Sequence, residues 1–170
     1  LSYGFDFNAV AARKNAVVEQ LRGGVEGLLA HKNITLVRGK ASFKDAHTVT
    51  VIPGFSSVIP SDAEESPQEY TADYIIIATG SVSASLPIPG ADLPGILTSR
   101  EILDIEEVPQ RLCVIGGGVI GLEFASIFRS FGSEVTVVEY CKDILPRFDT
   151  DLAKRLKQSL AKRGIEINTQ

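Results

Sequence analysis

Six consecutive residues, Gly116-Gly117-Gly118-Val119-Ile120-Gly121, satisfy the pattern G-x-G-x-x-G. Alone the pattern is weak, because glycines cluster by chance. Here it follows an apolar stretch, Leu112 to Ile115, and opens a helical pattern that runs through Leu122 to Phe131. That context makes it a dinucleotide fingerprint. Gly116 would turn the chain off the strand, Gly118 would leave room for a pyrophosphate, and Gly121 would let helix and strand pack closely. The helix start adds unpaired N–H groups and a partial positive charge, both suited to an anion. Glu139 stands 18 residues after Gly121, where the next strand is expected to end. A carboxylate there accepts hydrogen bonds from both adenosine ribose hydroxyls and repels a 2′-phosphate, which argues for NAD over NADP. Lys142 and Arg147 lie close enough in sequence to leave NADP open. Glu123 interrupts the apolar face of the helix, and the residues alone leave it as either an ordinary exposed glutamate or a functional one.

These residues need a frame, and the last third of the chain supplies one. Strands are expected at Leu112 to Ile115, Glu134 to Val138 and from Ile165 to Ile167. Helices are expected at Val119 to Phe131 and at Asp149 to Arg163, the second ended by Gly164. A β-α-β-α-β series of this kind makes a parallel sheet with right-handed crossovers. Further upstream, Val10, Val17, Leu21, Val25, Leu28 and Leu29 mark one face of an amphipathic helix over Asp6 to Ala30. Strands are predicted at Ile34 to Val37 and Thr48 to Ile52, with a solvated loop or irregular hairpin from Pro53 to Glu69. The continuous apolar run Tyr74 to Ala78, ending at Gly80, reads as a buried strand. Residues 86 to 110 carry Pro87, Pro89, Pro94 and Pro109, and read as a linker. Within it, Thr98 and Glu101 fit a capping box for one short helix through about Leu103.

Composition narrows the classes of function. The chain is 44% apolar and 22% charged with net charge −4, so it has no basic field for nucleic acid. The longest apolar run, Leu112 to Leu122, holds four glycines and is too short to span a bilayer. No secretory signal pattern opens the chain, and a cytoplasmic setting is the expectation. Cys113 and Cys141 form neither a disulfide framework nor a Cys-x-x-Cys site, and no metal-ligand pattern is expected. Cys113 is expected to be a small buried core residue and Cys141 a bystander thiol. The chain starts at Leu1 and contains no Met, which predicts a piece of a longer protein.

Four segments together resemble the flavoprotein disulfide reductases, the pyridine nucleotide-disulfide oxidoreductases. They are Val37 to Phe43 (VRGKASF), Ile75 to Ser81 (IIIATGS), Gly116 to Ala125 (GGGVIGLEFA) and Val135 to Glu139 (VTVVE). The resemblance covers nearly the whole chain and is greatest to the lipoamide-type branch. It implies two cofactors, NAD and FAD. Gly116, Gly117, Gly118, Val119, Ile120, Gly121, Leu122 and Glu123 would line the pyrophosphate and nicotinamide side of NAD, and Glu139 would hold its ribose. Thr79, Gly80 and Ser81 would pass close to FAD, and the backbone of Ala41 would approach its adenine. Glu123 matches a glutamate that sits near the flavin and nicotinamide rings. Val119 stands where some relatives carry an aromatic gate over the flavin, which implies an ungated pocket.

The fold class implied is α/β, with partial FAD/NAD(P)-binding Rossmann-like domains. A parallel βαβαβ unit would stand beside the β-meander and helix of an FAD domain, with residues 1–85 the later part of that FAD-binding domain. Residues 86–110 would be a linker and 111–170 the first half of an NAD-binding domain. The family's first FAD loop and redox cysteine pair would precede Leu1, and its base histidine and dimerisation domain would follow Gln170. His31 and His47 lie in the wrong segments to replace that base. The 170-residue chain alone is therefore expected to be inactive, and its open sheet edges are expected to favour self-association. The intact protein would be a homodimer, with a lipoyl-bearing acyltransferase as a partner. Two alternatives are another reductase of the family, acting on glutathione or a metal ion, and a nucleotide-binding module without chemistry.

Overall fold

The computed structural model describes residues 4–53 and 66–170. Most of the expected Pro53 to Glu69 loop thus lies outside the described residues. Two compact units emerge, one of Ala16–Val82 and one joining the residues up to Asn15 with Ser83–Gln170. A long helix, α1 (Phe7–Leu29), runs through the division. Asp6 opens it, its carboxylate accepting from the N–H groups of Asn8 and Ala9 at 2.9 and 3.3 Å.

In the first unit, β1 (Gly39–Phe43), β2 (Thr48–Pro53) and β3 (Gln68–Thr71) form an antiparallel meander in that order. Thr48 and Val51 of β2 are its buried residues. The strand expected at Ile34 to Val37 is not formed; pairing begins at Gly39, opposite Pro53. The meander needs residues with partners, and β2 finds them only from Gly39 onward. The strand β3 had no signal in its polar Gln68-Glu69 start, and pairing with β2 creates it. The expected buried strand at Tyr74 to Ala78 is also corrected. The segment forms no strand, and Tyr74, Ile76 and Ile77 are 91%, 88% and 69% exposed. A strand is defined by its neighbours, and none among the described residues pairs with this run.

The second unit carries the expected β-α-β-α-β series. It consists of β4 (Arg111–Ile115), α2 (Val119–Ser130), β5 (Glu134–Val138), α3 (Thr150–Lys162) and β6 (Ile165–Asn168). The three strands are parallel in the order β4-β5-β6, with Leu112 opposite Val135 and Val135 opposite Ile165. Asp149 caps α3 through the N–H groups of Asp151 and Leu152, and Gly164 (φ 82°) ends it. A short 3-10 helix, Glu101–Asp104, precedes the sheet, and the capping pair holds: the Thr98 N–H donates to the Glu101 carboxylate at 2.8 Å. Lys14, on α1, donates to Asp104 at 2.7 Å and to the Leu103 carbonyl at 2.8 Å.

Both helices cover one sheet face. Val135, Val137 and Ile165 form the core there with Leu122, Ala125 and Phe128 of α2, Ala153 and Leu160 of α3, and Ile144. The alternate strand residues point the other way and stay open: Ile115 is 55% exposed and Val138 43%. Cys113 lies on this open face and is exposed, not buried in the core as expected. Its neighbours in the strand, Leu112 and Val114, took the core positions because side chains alternate.

Adjacent valines test this two-faced arrangement. Val137→Ala should cost about 2 kcal/mol in urea denaturation, against less than about 0.5 kcal/mol for Val138→Ala. Equal losses would reject the register.

Candidate functional site

The glycine turn lies between β4 and α2, where the strand must reverse into the helix. Gly116 adopts φ 111°, a conformation that L side chains rarely reach, and its N–H donates to the Val138 carbonyl at 2.8 Å. Gly121 is the close-packing position, since a Cβ there would lie 2.4 Å from the Gly116 carbonyl oxygen and 3.0 Å from Val114. At Gly118 a Cβ would meet nothing within 4 Å, so this residue faces open space. Gly118 is also the N-cap of α2 and no side chain caps the helix. The first N–H groups of α2 thus carry no side-chain acceptor and remain free to meet an anion. The turn fits a pyrophosphate in shape and in polarity. Val119 and Ile120 are exposed in this first turn, while Leu122 is buried against the sheet.

Gly117 is buried and faces inward. Its N–H donates to Oε2 of Glu139 at 2.6 Å, and its carbonyl accepts from the Leu145 N–H at 2.9 Å. A Cβ on Gly117 would lie 2.9 Å from Ile144 and 3.1 Å from Glu139 Oε2. The middle glycine of the run, the one the fingerprint leaves unspecified, is therefore required by packing.

Glu139 follows β5 and is half-buried. Its Oε1 accepts from the Cys141 N–H at 2.7 Å. The Cys141 N–H, and after it the Gly117 N–H, hold the Glu139 carboxyl below its ordinary range, against the opposing effect of partial burial. The neighbouring Glu139 carboxylate, and after it burial, pushes the Cys141 thiol up from its ordinary value. Cys141 is thus a hydrogen-bonding neighbour of the site more than a bystander. An ionised carboxylate offers about four lone-pair sites. Two short N–H bonds leave others for a ribose diol.

Glu123 is exposed in the second turn of α2, outside its buried stripe of Leu122, Ala125 and Phe128. The apolar-face position read from sequence is thereby corrected: one residue is a rotation of about 100° around a helix, enough to leave the stripe. Lys142 and Arg147 are both exposed. In the other unit, Ala41 lies on β1, and Thr79, Gly80 and Ser81 are exposed in a segment without regular structure, with Gly80 at φ 74°.

Sequence reasoning missed Leu145. It adopts φ 51°, the one described non-glycine residue in the left-handed region. That conformation costs a leucine about 1–2 kcal/mol, and no residue-type signal announces it. A cavity of about 210 Å³ lies in the same connection, walled by its residues 141–146 and Phe148 and by Thr150 and Ala153 of α3. It is not formed by the glycine turn. No helix among the described residues is long and apolar enough to cross a membrane.

Comparisons with known proteins agree with this geometry. The family model described as pyridine nucleotide-disulphide oxidoreductase matches residues 2–170. The dihydrolipoyl dehydrogenase of Geobacillus stearothermophilus is 40% identical over 96% of this chain and 33% of its own length. That of Acholeplasma laidlawii is 36% identical over 98% of this chain and 47% of its own. The solved structure of the HOCl-induced flavoprotein disulfide reductase RclA from Escherichia coli matches with a TM-score of 0.82 at 35% identity, covering 97% of this chain and 35% of that one. Its Cu(II) complex gives a TM-score of 0.81. The chain spans between a third and a half of the length of these curated relatives.

The two outer roles in the turn separate in substitution. Gly121→Ala should lower stability by about 2–3 kcal/mol, because backbone and Val114 must move. Gly118→Ala, at the N-cap, should cost less than about 1 kcal/mol and weaken dinucleotide binding. Equal thermal midpoints for the two variants would contradict these roles.

Proposed function

The chain belongs to the pyridine nucleotide-disulphide oxidoreductase family, and from that premise we propose that residues 111–170 bind NAD in a dihydrolipoamide dehydrogenase. In this reading, electrons pass from dihydrolipoamide through a cysteine pair and FAD to NAD. The observation that carries it is the Glu139 carboxylate, fixed beside the glycine turn by Gly117 and Cys141 with acceptor capacity left for a ribose diol. The Gly118 side of the turn takes the pyrophosphate, with the N–H groups of Val119, Ile120 and Gly121 facing it. Leu122 anchors that helix start in the core, and Glu123 lies toward the nicotinamide and flavin.

Residues 1–85 are the later part of the FAD-binding domain and 86–110 a linker. Ala41, Thr79, Gly80 and Ser81 approach FAD. When bound, the flavin and nicotinamide supply the redox chemistry. The chain's own residues bind and orient the nucleotide. The parent protein is a homodimer that meets a lipoyl-bearing acyltransferase. Cys113 and Cys141 lie on different segments and do not form the redox pair, so the 170-residue chain alone does not turn over lipoamide.

A paired calorimetric titration with NAD and NADP tests the reading. NAD should bind more tightly, and Glu139→Ala should cost about 10- to 100-fold in NAD affinity, as expected for hydrogen bonds to a charged acceptor. Tighter NADP binding, or an indifferent Glu139→Ala, would sink it. A second reading, a reductase acting on glutathione or a metal ion, draws on the likeness to RclA, which has been solved as a Cu(II) complex. NADH oxidation by the full-length protein with lipoamide, oxidised glutathione or Cu(II) as acceptor separates the two.

A further inference from the structure

The connection between β5 and α3 does more than join them. We propose that Leu145 is a positioning residue for the dinucleotide site, acting through its main-chain N–H on the peptide that follows Gly117. The inference rests on the NAD-binding reading above and names a residue that the glycine fingerprint does not contain.

The geometry is specific. The Leu145 N–H donates to the Gly117 carbonyl at 2.9 Å. That carbonyl belongs to the same planar peptide as the Gly118 N–H, and the described chain has no cis peptide bond. In a trans peptide the C=O and the N–H point in opposite directions. Holding the carbonyl on Leu145 therefore aims the Gly118 N–H away from the connection, and Gly118 is the residue that faces open space. The preceding peptide is fixed as well, through the Gly117 N–H on Glu139 at 2.6 Å. Ile144, fully buried, closes the remaining side against Gly117. Leu145 makes this bond while its backbone lies in the left-handed region at φ 51°. A leucine held there marks a conformation that the surroundings impose.

Two substitutions separate main chain from side chain. Leu145→Pro removes the donor and forces φ to about −65°. Leu145→Gly keeps the donor, favours the left-handed region and loses the apolar side chain, which packs partly against the core. In the full-length protein, NADH titrated by fluorescence should bind Leu145→Pro about tenfold more weakly than wild type. Leu145→Gly should bind within about twofold of wild type even though its thermal midpoint falls. A purely structural role would make affinity follow the thermal midpoint. A folded Leu145→Pro with wild-type affinity overturns the proposal, as does a Leu145→Gly that binds as poorly as Leu145→Pro. A wild-type protein that binds neither NADH nor NAD overturns the underlying NAD reading and this inference with it, and the wild-type titration distinguishes that case. If Leu145→Pro does not fold, hydrogen exchange on the wild type decides. The Leu145 amide should exchange more slowly with saturating NADH, and an unchanged rate overturns the proposal.

Discussion

One carboxylate organises the second unit's ligand-facing edge. Glu139 takes a hydrogen bond from the glycine turn that follows β4 and another from Cys141 beyond β5. Remove it and two main-chain donors lose their acceptor at a half-buried position, which is costly in itself. The turn's shape and the carboxylate's position are therefore a single construction. Gly117 is glycine because Glu139 and Ile144 crowd it, and the Glu139 carboxyl is held below its ordinary range because the Cys141 and Gly117 N–H groups donate to it.

The sheet beneath makes this possible through register. Val138 ends β5 level with Ile115, and the Val138 carbonyl receives the Gly116 N–H. Parallel pairing thus brings the ends of two strands, 23 residues apart in sequence, to the same level. A helix start and a carboxylate then meet at the carboxyl ends of the strands, where ligands bind in open α/β sheets. The helices behind contribute by burying Val135 and Val137, which locks the strands in that register.

The second unit was largely legible in the sequence and the first was not, for one physical reason. In β4 through β6 each element has its partner within the described chain, so periodicity and pairing agree. Tyr74 to Ala78 has the composition of a buried strand and no described neighbour to pair with, so its apolar side chains lie in the open. The helix α1 was found by its spacing, yet it buries none of its residues. Within the site, the sharp turn at Gly116 and the close packing at Gly121 were readable because residue type alone carries them. Leu145 was invisible because its contribution comes from the backbone, and Cys113 was misplaced because a one-residue alternation decides its face. Cys141 gave no sign of its bond to Glu139, which depends on a turn that no motif encodes.

The division of the chain at Asn15 carries a consequence in time. The strands β4, β5 and β6 lie in sequence order, each pair linked by a single helix, so their pairing closes short loops. Residues 4–15 belong to the same unit, and Lys14 meets Asp104 across a separation of 90 residues. Loop-closure entropy grows with that separation, and contacts of this kind are rewarded only after the local ones exist. On a growing polypeptide the start of α1 would emerge first and find its place late, waiting through the synthesis of the whole Ala16–Val82 unit before its partner appears.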